Sequence, residues 1–152
     1  MIFKLFSLFI VFVIAGGAFF FRETIFSNPS KNQFPERVAI GERVYTLEIA
    51  ATKEEQSRGL GERDSLCDTC AMLFIFQDSS RHAFWMKGMR FPLDIVWLSG
   101  EKVVYVEREI SAESKEVYRP KDDADRVLEF NAGAADTLRP GDSVHFLSLS
   151  EP

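Results

Sequence analysis

Residues Phe84 to Leu98 constrain the fold more than any other part of the chain. This stretch contains both tryptophans, Trp85 and Trp97, and two of the four methionines, Met86 and Met89. Its apolar runs, Phe84–Met86 and Leu93–Leu98, flank Gly88 and Pro92, which interrupt regular structure. Short aromatic and β-branched runs bounded by turn residues predict two buried strands, joined here by a loop carrying Lys87 and Arg90. So many large apolar side chains close together belong at the centre of a domain.

The rest of the chain after residue 36 is also short and strand-like. Arg37–Ile40 and Arg43–Ala50, separated by Gly41-Glu42, predict a hairpin with Tyr45, Leu47 and Ile49 turned to the core. Thr52-Lys53-Glu54-Glu55 is a capping box opening a short helix that ends at Arg58, before Gly59 and Gly61. Ala71–Phe76 is apolar without a break, the pattern of a strand buried on both faces. Further strands are expected over Lys102–Arg108, Arg126–Phe130 and Val144–Leu149, with one helical turn within Asn131–Leu138. Ser111–Asp125 is polar and reads as a solvated loop. About eight short strands with one or two short helices predict a mainly β domain, a compact barrel or sandwich.

Leu5–Phe21 is different in kind: 17 residues with no charge. As a helix it would span about 26 Å, close to the ~30 Å of a bilayer core. We read residues 1–26 as an uncleaved, single-pass N-terminal anchor. Cleavage near Ala15–Ala18 would leave Phe19-Phe20-Phe21 at a new terminus in water, whereas an anchor keeps these rings at the membrane interface. A removed signal peptide is the alternative. Residues 27–36, with Asn28, Pro29, Ser30, Asn32 and Pro35, read as a linker, and 37–152 as the β domain. The flanking charges, Lys4 against Arg22 and Lys31, barely separate the two orientations. A single N-terminal anchor most often leads its domain across, so the domain is expected outside the cytoplasm.

Charge narrows the partners. Taking Lys4, Arg22 and Glu23 from the chain totals of 18 basic and 23 acidic residues leaves 16 and 22, a net of −6 from residue 28 onward. Such a domain has no basic stripe with which to displace phosphate counterions, so nucleic acid is not an expected partner.

Several residues could carry chemistry. Cys67-Asp68-Thr69-Cys70 sets two thiols one turn apart, but an apolar strand follows where a redox pair would want a helix N-terminus. A structural zinc needs four ligands, and the histidines, His82 and His145, lack ligand spacing. A disulfide closing the loop, or two unpaired thiols, is left, and no metal or cofactor is expected. Met72, Met86 and Met89 with the cysteines offer the softness that copper(I) favours, yet methionine among aromatics ordinarily fills core. His82 beside Arg81 and His145 on the last strand are both expected to be exposed.

Asp94 is the sharpest case. Phe91, Leu93, Ile95, Val96 and Trp97 make both faces of its strand apolar, so an ionised carboxylate there needs a partner. Lys87, Arg90, Arg58 and Arg63 are the available cations, and an ion pair with Lys87 or the Arg58–Arg63 segment is expected at the rim of a cleft walled by Trp85. Arg58, Arg63, Trp85, Lys87 and Asp94 are therefore the ligand-binding candidates. Glu129, between Leu128 and Phe130, poses the same problem less sharply, because strand alternation can turn it outward.

These residues also carry a resemblance. Arg58-Gly59-Leu60, Arg63, Leu66, Met72-Leu73-Phe74, Phe76, Phe84-Trp85-Met86-Lys87 and Pro92-Leu93-Asp94-Ile95 resemble the domain of unknown function 192 family. So do Val127-Leu128-Glu129 with Gly133, and Gly141-Asp142, over about Val44–Phe146. The resemblance implies a compact β-barrel-like domain, often behind a signal or an anchor, and carries no established activity. The chain departs from the pattern at Gly61 and Ala71, where methionine and glycine are more usual, and in the Cys67–Cys70 insertion.

Three functions follow as expectations. The first is binding of a small ligand or polymer segment in an aromatic-walled cleft. The second is hydrolysis or isomerisation with Asp94 as general base, and the third is a structural interaction module. A binding module keeps a cleft beside Trp85; an enzyme also needs a second titratable group within reach of it; a scaffold has neither.

Overall fold

The computed structural model describes residues 34–148. The expected anchor over residues 1–26 and most of the linker lie outside them. Among the described residues no helix is long and apolar enough to cross a membrane.

The hairpin of β1 (Arg37–Ile40) and β2 (Arg43–Ala50) turns at Gly41, and α1 (Lys53–Arg58) leads on to β3 (Cys70–Ser80). Then come β4 (Phe84–Trp85), β5 (Leu93–Ser99), β6 (Lys102–Ile110), β7 (Val117–Tyr118), β8 (Ala124–Asn131) and β9 (His145–Leu147). Seven strands form one sheet in the order β6-β5-β8-β3-β2-β1-β9. Every neighbouring pair is antiparallel except β2 and β3, which are parallel and therefore need a crossover; α1 lies in it. The sheet curls into a half-barrel. Its far edges are tied by the N–H of Val103 donating to the Asp142 carbonyl and that of Val144 to Glu101.

Both faces of the central strands are covered, which is what their unbroken apolar runs require. One face gathers Leu73, Val96, Leu98, Leu128 and Phe130 with Tyr45 and Leu47. The other gathers Met72, Phe74, Ile95, Trp97 and Val127 with Leu60, Phe84 and Met86. Alternation along β3, β5 and β8 therefore chooses between two cores, not between core and water.

The mainly β expectation holds, with differences of detail. The fifteen-residue stretch opens as the two-residue β4, which pairs with β7 in a separate ribbon, Phe84 opposite Tyr118 and Trp85 opposite Val117. The segment read as a solvated loop thus contains a strand, held partly by the contact between the Ser114 and Tyr118 hydroxyls at 2.8 Å. Asn131–Leu138 forms consecutive turns, and Ile49 is only half-buried.

Candidate functional site

The site grows from the start of α1. Thr52 Oγ1 accepts the Glu55 N–H, and Glu55 Oε2 accepts the N–H groups of Thr52 and Ala51 at 2.9 and 3.0 Å, so the capping box forms. Those amides hold the Glu55 carboxyl below its ordinary range. Gln56 Nε2 donates to the Ile75 carbonyl at 2.7 Å, strapping the helix to β3. The helix stops at Gly59, with φ 51° and ψ −137°, a conformation that a side chain resists.

Gly59 also lets the chain settle on the sheet. A Cβ there would lie 3.4 Å from the Phe74 ring and 3.8 Å from Glu129 Oε2. At Gly61 it would lie 3.0 Å from the Arg58 carbonyl oxygen and 3.4 Å from that of Lys87. The Glu62 N–H donates to the Gly88 carbonyl at 2.7 Å, joining this turn to the loop after β4.

Between α1, that turn, the end of β3 and β4 lies an open cavity of about 310 Å³. Leu60, Phe74, Phe76, Phe84, Trp85 and Met89 supply its apolar lining. Phe84 stands edge-on to both Phe74 and Trp97, at 4.9 and 5.7 Å between ring centres, which fixes the inner wall. His82 stacks on Phe76 at 3.6 Å, and its backbone carbonyl accepts the Trp97 indole N–H at 2.9 Å. Trp85 is 54% exposed and stands at the open side, as do Lys53, Arg58 and Lys87, which are exposed and line the same cavity.

Glu129 completes the lining. It lies on β8 opposite Met72 of β3 and Ile95 of β5, and is 6% exposed. Its Oε2 is wholly buried without a hydrogen-bond partner. Burial pushes this carboxyl up to about 8, against an ordinary 4.5, while the Arg63 charge pulls it weakly down. Arg63 is itself occupied, its Nη1 lying 2.9 Å from each Glu48 carboxylate oxygen. Burial thus favours the protonated carboxyl, which has an O–H to donate.

Asp94 corrects the sequence reading. It is fully buried, but on the opposite face of the sheet, with Val96 and Leu98. Its Oδ1 accepts the Glu109 N–H at 2.8 Å and its Oδ2 the Ala135 N–H at 2.9 Å. The expected ion pair is absent among the described residues, because two backbone donors supply what a cation was invoked to supply. Asp94 clamps the end of β6 to the turns after β8, away from the cavity. Bonded to the backbone and with no exposed surface, it has no face from which to meet a substrate, as a general base would need.

Of the five candidates, the structure brings Arg58, Trp85 and Lys87 together in the cavity and leaves Arg63 and Asp94 outside its lining. Arg90 pairs with Asp64 at the surface. Lys53 and His82 are additions, and Glu129 moves from the weaker acid to the central one. Its signal was present: Val127-Leu128-Glu129-Phe130 is as apolar around the acid as the Asp94 strand is.

Cys67 and Cys70 are joined in a disulfide across a two-residue loop. With those sulfurs bonded to each other, the thiolates of a soft-metal cluster are spent, and Met72 and Met86 lie buried in the core. Among the described residues no group of three or more His, Cys, Asp or Glu side chains is placed to hold a metal ion.

Comparison with known proteins bears on the same region. The model of the DUF192 family, described as "Uncharacterized ACR", matches residues 36–146. The chain belongs to the DUF192 family. Every element that builds the cavity falls within the DUF192 match. No curated protein matches the chain. Two solved structures share the fold with a TM-score of 0.67 each. One is a protein of unknown function from Novosphingobium aromaticivorans, 28% identical, the match covering 74% of this chain and 84% of that one. The other, from Sinorhizobium meliloti, is provisionally named a transcription regulator; it is 23% identical, with 72% and 90% covered, and shows the fold alone.

Proposed function

We propose that this DUF192 domain is a binding module that takes a small ligand, or the end of a polymer segment, in the cavity beside Trp85. One observation carries the reading: an unpartnered, buried carboxyl, Glu129, lines an open aromatic cavity of about 310 Å³. An unsatisfied buried polar group costs about 1–3 kcal/mol, and a ligand that pairs with it recovers that cost. The volume suits a small organic molecule with an apolar body. A purely structural module would have no use for either feature.

The test is an unbiased ligand screen by thermal shift on the full chain, repeated on Trp85→Ala. Compounds that raise the melting temperature of the wild type and lose much of that effect in the variant support the reading. A screen in which no compound stabilises the chain, or in which every hit is indifferent to Trp85, contradicts it. Trp85 is exposed, so its removal leaves the core intact.

We further propose that residues 5–21 hold the domain at the outer side of a membrane. The Cys67–Cys70 disulfide supports that location, since disulfides persist in oxidising compartments. The protein should then resist carbonate extraction from membranes. A soluble product beginning near Ala18 or Phe19 would overturn the anchor.

A further inference from the structure

We propose that the cavity binds a flat organic anion, its charge held at the open rim by Arg58, Lys53 and Lys87 and its inner polar end hydrogen-bonded by the Glu129 carboxyl. The inference rests on the ligand-binding reading above and adds the chemical class of the ligand.

The rim argues for the charge. Lys53, Arg58 and Lys87 all line the cavity, all are exposed, and none forms an ion pair among the described residues, although Arg58 also acts weakly on Glu55. The lining holds one acid, Glu129, and that acid is uncharged at neutral pH. An ammonium ligand would meet three like charges on entry; a neutral ligand would leave them unused.

The inner end argues for the polar tip. Glu129 is nine-tenths buried, lacks a partner and lines the cavity, so it offers an O–H to an acceptor there. Its cross-strand neighbours, Met72 and Ile95, carry no charge. The charged or titratable groups around it are Arg63 from the turn after α1, Lys53, Arg58, His82 and Lys87 of the cavity, and, one strand further along the same row, Glu48 of β2 beyond Met72 and Glu107 of β6 beyond Ile95. Phe74, Phe76, Phe84 and Trp85 make the space between rim and inner end suit a flat, apolar body.

Calorimetric titration of the full chain tests this with three probes of one shape: para-methoxycinnamate, its neutral amide, and para-methoxycinnamylammonium. The methoxy oxygen accepts a hydrogen bond and does not titrate. The anion should bind with single-site stoichiometry, about tenfold tighter than either analogue. Arg58→Ala combined with Lys87→Ala, both at exposed positions, should erase that preference, so that the anion binds this variant no tighter than the amide does. Raising the pH from about 7 to about 9 should weaken anion binding roughly fivefold as Glu129 loses its proton. Glu129→Gln keeps a donor at every pH and should not show that loss. If the amide or the ammonium binds as tightly as the anion, the anion class is wrong while the ligand cavity stands. Anion binding indifferent to pH would remove Glu129 as the donor. No saturable binding of any probe would overturn this inference, while the ligand-binding reading stands or falls with the thermal-shift screen.

Discussion

Asp94 and Glu129 lie on neighbouring strands, face opposite sides of one sheet, and meet the cost of burial in opposite ways. Asp94 accepts two backbone N–H groups and is satisfied. Asparagine there would turn an amide N–H toward a backbone N–H, so Asp94→Asn should lower stability by about 2–3 kcal/mol in denaturant titrations. Its effect should add to that of Arg58→Ala, since the two residues share no contact. Strong coupling between them would revive the ion pair. Glu129 has no partner and stays protonated instead. Its carboxyl is raised in the folded state, so the fold binds more protons than the unfolded chain between about 4.5 and about 8. Stability is then full below about 4.5 and declines as the pH rises through about 8, by up to about 5 kcal/mol. Glu129→Gln removes the titration, so its stability should gain on that of the wild type as the pH rises from about 4.5 to about 8; parallel curves would contradict this.

At the scale of elements, α1 matters less as a helix than as the lead-in to Gly59, the point where the chain turns onto Phe74 and Glu129. Its start and stop were legible because capping depends on residue types at fixed spacing: Thr52, Glu55, Gly59. Gly59→Ala would put a side chain at φ 51° and against the Phe74 ring. It should cost about 1–2 kcal/mol and weaken any ligand of the cavity. An unchanged denaturation midpoint would show that the turn relaxes freely. The β4–β7 ribbon was half legible. Phe84-Trp85 reads as strand, but Val117-Tyr118 is two residues within a charged run, too short for any period to appear.

Over the whole molecule, the fold could be read because unbroken apolar runs in Ala71–Phe76 and Leu93–Leu98 demand strands covered on both faces. Trp85, Arg58 and Lys87 could be read as a group only as the expected surroundings of Asp94; in the structure they meet because two glycine-bearing turns join through Glu62 and Gly88. The partners of Asp94 could not. They are backbone amides 15 and 41 residues away, and backbone donors have no sequence identity. Alternation suggests an outward-facing Glu129 because it ordinarily separates core from water, whereas here it separates two cores. The chemistry of the cavity therefore turns on the state of one carboxyl. The measurement that addresses it most directly is a carbon-detected NMR titration of the Glu129 side chain in the full chain, assigned by its loss in Glu129→Gln. A midpoint near 8 is expected, far above the ordinary 4.5. A midpoint in the ordinary carboxylate range, near 4.5, would mean that Glu129 is ionised and paired or solvated, and would contradict it.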